Sequence, residues 1–175
     1  NATLTAGDFA TLRHLTLNGN VGAVAIPPGV YGDFTANGGS GFVLGVAGAT
    51  NPAVYAFQRL TLNGNSSFSV IGPVIVTLAN TLTANSSLGS AFHPDWLTLQ
   101  FSSGGLTLNS QTNAYAYILA TNGSVTINGQ CLLAGGVVSD RLTVNGGGTV
   151  RLVAPSVANL PPTVALTAPA GGAHF

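Results

Sequence analysis

Lysine, glutamate and methionine are absent from this 175-residue chain, and cysteine and tryptophan occur once each. Only 5% of residues are charged, four Asp against four Arg, with net charge zero. Ordinary soluble domains are about a quarter charged. Without a basic excess there is no electrostatic footprint for nucleic acid and no polybasic stretch for an anionic membrane surface. A single cysteine, Cys131, cannot make a disulfide framework or a zinc spacing, and its run CLLAGGVV suits a buried thiol acting as a small hydrophobe. No apolar run reaches the roughly 20 residues that a membrane span needs. No stretch supports a helix of ordinary length.

What the chain has is a phrase, apolar-Thr-apolar-Asn, written seven times. It stands at Leu15–Asn18, Phe34–Asn37, Leu60–Asn63, Leu82–Asn85, Leu106–Asn109, Val125–Asn128 and Leu142–Asn145. Successive Asn residues are 19, 26, 22, 24, 19 and 17 positions apart. A loose period in this range marks a solenoid, in which each coil buries its apolar face only by stacking on its neighbours.

Alternation along a strand assigns the faces. If the two apolar residues point inward, the Thr points outward together with the residue two before it. Those residues are His14, Asp33, Arg59, Thr81, Gly105, Ser124 and Arg141, so four ionisable side chains share one outer column and none falls on an apolar position. The Asn then marks a corner, in most copies followed by a Gly that tolerates a sharp bend. Coils about 4.8 Å apart bring Asn18, Asn37, Asn63, Asn85, Asn109, Asn128 and Asn145 into one column, where amides can bond along the stack as an Asn ladder. Seven rungs make a rod roughly 30 Å tall. The expected fold is therefore all-β: a single right-handed parallel β-helix of about seven coils, residues 1–153, with an extended Pro/Ala-rich tail, 154–175.

The intervening residues supply second and third strands: 67–80, 114–123 and 133–140 alternate between Gly, Pro or Asn corners. The longer spacings predict insertions at 45–58 and 86–96, leaving one face as loops. In the tail, Pro161 and Pro162 exclude a helix, and Thr163, Val164, Ala165, Leu166 and Thr167 read as a short extended segment suited to a linker or a strand donated to a neighbour. The chain starts at Asn1 rather than Met, which is read as a mature or trimmed segment.

The phrases LTLNGN, IPPGVYGDFTANG, GPVIVTLAN and VTINGQ…GGVVSDRLTVNG resemble a family of bacterial β-solenoid domains found in secreted, cell-surface and pilus-associated proteins. The tail NLPPTVALTAPAGGAHF resembles the lead-in to a bacterial immunoglobulin-like repeat. These likenesses imply export to a bacterial surface and report architecture without a catalytic signature.

Candidate chemistry is sparse. His14, Asp33 and Arg59 on successive rungs are the nearest approach to a polysaccharide-cleaving site, yet glycoside hydrolysis usually needs two flanking carboxylates. An alternating-charge stack on a wet face explains the same column. His93 and Asp95 in FHPDW could be two metal ligands, short of the three or four a site requires. Trp96, with Tyr115 and Tyr117, forms a candidate stacking platform for sugar rings. The single Thr row falls short of the paired rows by which ice-binding solenoids present hydroxyls; only Thr81 and Thr83 form a pair. Sequons at Asn1, Asn65, Asn85 and Asn122 are what an Asn/Ser-rich chain produces by chance. No cofactor or metal set is read from the chain. The reading is a non-enzymatic structural subunit or spacer of an extracellular assembly, partnered by copies of itself or neighbouring modules. The alternative is a carbohydrate-binding module of a secreted polysaccharide-active protein.

Overall fold

The computed structural model of the chain describes residues 12–155. The strands are β1 (Leu15–Leu17), β2 (Gly22–Ala25), β3 (Gly29–Ala36), β4 (Ser40–Leu44), β5 (Ala53–Leu62), β6 (Ser67–Val70) and β7 (Val74–Leu78). They continue as β8 (Leu82–Ala84), β9 (Leu88–Gly89), β10 (Leu97–Phe101), β11 (Leu106–Leu108), β12 (Asn113–Ile127), β13 (Leu132–Val144) and β14 (Thr149–Leu152). A 3-10 turn, Pro94–Trp96, is the one helical element among the described residues. Among the described residues every strand pairing is parallel, and the pairs join coil to coil as a β-solenoid of about seven turns.

Each coil has three faces. The first carries the repeated phrase: Leu15 pairs with Phe34, Phe34 with Leu60, Leu82 with Leu106, Leu106 with Val125, and Val125 with Leu142. The second, after the Asn corner, stacks β2, β4, β6, β9, the start of β12, the start of β13, and β14. The third stacks the start of β3, then β5, β7, β10 and the middles of β12 and β13. In the later coils the second and third faces run together as continuous strands that bend at the corner, where the sequence suggested separate ones.

The expected orientation holds. Phe34, Leu60, Leu82, Leu106 and Val125 are buried, as are their partners two residues on, and the intervening Thr residues are half-buried or exposed. Aromatic side chains fill coils one to three, where Tyr31, Phe34, Phe42, Tyr55, Phe57 and Phe68 are buried; beyond them Phe101 is the one buried aromatic among the described residues, and the rest of the core is aliphatic. Burial pushes the Tyr55 hydroxyl above its ordinary pKa, and it stays protonated while accepting from Gly45 N–H and donating to the Ile26 carbonyl. Cys131 is buried and free, as a small hydrophobe would be.

The insertions are narrower than expected. Residues 53–58 belong to β5 and Leu88–Gly89 to β9, so the loops proper are 45–52 and 90–96. Both leave the corner between the second and third faces. Thr163 to Thr167 lie outside the described residues. Among the described residues no helix is long and apolar enough to cross a membrane.

Candidate functional site

The Asn corner is where this fold's polar chemistry concentrates. Asn37 Nδ2 donates to Asn18 Oδ1 at 3.0 Å, and Asn63 to Asn37 at 2.7 Å. Higher in the stack Asn128 donates to Asn109, and Asn145 to Asn128, each at 2.9 Å. Every bond points the same way, from one coil's amide to the carbonyl of the coil before. The ladder is thus two runs of three, and Asn85 joins neither: its side chain makes no hydrogen bond among the described residues.

The break has a structural cause. Register aligns Phe68 with Leu88 and Leu88 with Ala114 on the second face, while Ala84 aligns with Leu62 and Leu108 on the first. From the Asn to that second-face position takes five residues at Asn63 and Asn109, and three at Asn85. The coil-four corner is two residues short. Ser86 takes the place that Ser66 holds in coil three, and the two buried hydroxyls bond at 3.0 Å. Pairing between coils three and four falls to one position on the first face, Leu62 with Ala84, and one on the second, Phe68 with Leu88. The third face keeps five, Val74 to Leu78 against Leu97 to Phe101.

The missing tip leaves a notch of about 260 Å³ between the corners of coils three and five. Asn65 walls it on one side, Ser110 and Gln111 on the other, and Asn85 and Ser86 lie between; every lining residue is Asn, Gln, Ser or Thr. Asn65, Ser110 and Gln111 all sit at positive φ, 57°, 61° and 58°. Sequence reasoning missed this site. Its signal was present, since NSSL reaches its next buried apolar residue sooner than NGNSSF or NSQTNA do.

The other candidates are dispersed. Asp33 N–H donates to His14 Nδ1 at 3.1 Å, and Asp33 lies 3.6 Å from Arg59, with both side chains well exposed. That is the alternating-charge stack expected of a wet face, and exposed pairs of this kind contribute roughly 0–1 kcal/mol. His93 stacks on Trp96, ring centroids 3.9 Å apart and planes within 6°, so one face of the indole is already covered. Among the described residues no three His, Cys, Asp or Glu side chains gather where a metal could sit.

Tyr115 and Tyr117 point outward and are half-buried. The Tyr117 ring lies over Gly136, where a Cβ would stand 2.7 Å from Cδ1, and its hydroxyl donates to the Val153 carbonyl. Burial, and secondarily the Asp95 charge, hold that phenol above its ordinary pKa. Asp95, Thr98, Tyr117 and Pro155 line an open, mainly apolar groove of about 350 Å³. The chain leaving the last strand is therefore tied to its own third face as far as Pro155.

The ladder's geometry makes a graded expectation. Asn128→Ala removes two amide bonds and should lower unfolding free energy by about 1–3 kcal/mol. Asn109→Ala removes one and should cost less, and Asn85→Ala should cost roughly 0.5 kcal/mol or less. Denaturant melts of the three variants check the order; equal values would remove the ladder from the account of stability.

Compared with models of known protein families, with curated proteins and with solved structures, the chain matches none.

Proposed function

We propose that this chain is a non-enzymatic structural subunit or spacer module of an extracellular bacterial assembly, built by stacking solenoid ends on one another. The observation that carries this reading is the exposed apolar row of the last coil. At the last coil, Leu142 and Val144 occupy the inward positions that Val125 and Ile127 hold one coil earlier, yet are 46% and 44% exposed where those are fully buried. Val150, stacked on buried Leu133, is likewise open. The Asn ladder is unfinished in a complementary sense. Among the described residues Asn145 Oδ1 has no donor, and Asn18 Nδ2 has no acceptor. Set on the last coil of one copy, the first coil of another would cover that exposed row and continue the ladder, Asn18 donating to Asn145. Such a head-to-tail contact does not close on itself, so it yields filaments rather than dimers. Export to a bacterial surface rests on the resemblance of the repeat phrases.

The test is sedimentation and electron microscopy of the whole chain beside the double variant Leu142→Arg/Val144→Asp. Wild type should form concentration-dependent linear assemblies, and the variant should remain a folded monomer. A wild type that stays monomeric at every concentration would end the stacking reading. The groove bounded by Asp95, Thr98 and outward-facing Tyr117 would then favour the second reading, a carbohydrate-binding module, to be sought by retention on cellulose, chitin or xylan.

A further inference from the structure

We propose that the notch at the coil-four corner is a binding site for a neutral polyhydroxy ligand, a sugar or polyol. It lies mid-stack, far in the chain from both ends, and does not depend on the assembly reading.

The first support is where backbone strain sits. A non-glycine residue in the left-handed region is disfavoured, and Gly removes that cost. At five corners the residue after the ladder Asn is Gly: Gly19, Gly38, Gly64, Gly129 and Gly146. At coil five it is Ser110, followed by Gln111, and both are left-handed. Gly would hold that turn at lower cost, so what the strain retains is a hydroxyl and an amide, and both line the notch.

The second support is hydrogen-bonding capacity left unspent. Asn85 presents a donor and an acceptor that the ladder does not use, and it is half-buried beside the Ser66–Ser86 pair. Six other ladder amides are bonded to one another.

The third is the chemistry of the lining. It contains no charge, so neither a phosphate nor a carboxylate finds a countercharge, and a calcium ion finds no carboxylate. It contains no aromatic or aliphatic side chain to hold an apolar body. Amides and hydroxyls that both donate and accept match a ligand whose groups also do both, which is the character of vicinal hydroxyls. The volume, about 260 Å³, suits one sugar ring.

The experiment is a titration of isotopically labelled protein with glucose, mannose, N-acetylglucosamine and sorbitol, followed by amide chemical shifts. For a small ligand held by hydrogen bonds alone, a dissociation constant on the order of 1 mM is expected for at least one probe. Shifts should saturate and centre on residues 65–67, 85–87 and 110–112. Gln111→Ala and Asn85→Ala, both at accessible positions, should weaken binding about fivefold each, the loss of roughly one hydrogen bond. Inserting Gly-Asn between Asn85 and Ser86 restores the corner length found at Asn63. It should fill the notch, abolish the shifts and raise the melting temperature by joining the two ladder runs. Leu142→Arg/Val144→Asp should bind as wild type does. The proposal is overturned by shifts that never saturate, that centre on Tyr115 and Tyr117 instead, or that survive both single variants.

Discussion

Gly135→Ala is expected to destabilise the protein by about 3–5 kcal/mol, a large fraction of the stability typical of a domain. Gly135 stands where β13 bends from the second face to the third, at φ +147°, a conformation that L side chains rarely adopt. A Cβ there would lie 1.9 Å from the Ala116 carbonyl oxygen and 2.6 Å from its carbon. Those atoms are backbone of the coil beneath, locked in a ladder that pairs β12 with β13 at twelve positions. No rotamer change relieves the clash; the two coils must separate. Gly64→Ala is the matched control. It also lies on a corner, but nothing stands within 4 Å of its added Cβ, and its φ is not in the left-handed range. That variant should stay within about 0.5 kcal/mol of wild type. Thermal melts of the pair decide the matter, and comparable losses would show that close coil approach at Gly135 does not limit the fold.

The same contrast shows which features were legible in the sequence. The repeated phrase gave period, face and corner together, because a side chain's direction in a strand follows from alternation and the Asn recurs at each turn. The inward burial of Leu60 and Leu62 and the outward Thr61 needed no structure to foresee. Register across corners was another matter. Seven Asn residues look equivalent on the page, yet Asn85 stands outside the ladder because the segment after it is two residues shorter. A deletion at a corner changes no local propensity, only which atoms meet across coils. The fused second and third faces in β12 and β13 were obscured for a related reason. Gly135 and Gly136 read as a strand break, but the first is a bend within a paired strand and the second makes room for the Tyr117 ring. The notch was hidden twice over, since it is bounded by three coils whose corners are separated by about twenty residues each.

Phe34→Ala is the second large effect expected, a loss of about 3–5 kcal/mol, with an uneven distribution along the stack. Phe34 is fully buried at the centre of the aromatic coils, its ring centroid 4.8 Å from Tyr31, 5.1 Å from Phe57 and 5.6 Å from Phe42. Truncation removes ring contacts to two coils at once, and neighbouring aromatics have few rotamers with which to collapse into the space. Solenoid stability is close to a sum of coil and nearest-neighbour terms, so damage spreads as far as the interfaces are strong. The interface between coils three and four is the weak one on two faces, with a single paired position on each. Beyond it, β12 and β13 form the longest ladder in the described structure. Amide hydrogen exchange on Phe34→Ala should therefore show β3, β4 and β5 losing protection while the paired amides of β12 and β13 keep most of theirs. The Gly-Asn insertion at Asn85, by rejoining the ladder across that interface, should spread the loss more evenly. If Phe34→Ala instead lowers protection equally in every coil, the solenoid folds as one cooperative unit, and the short coil-four corner is no boundary within it.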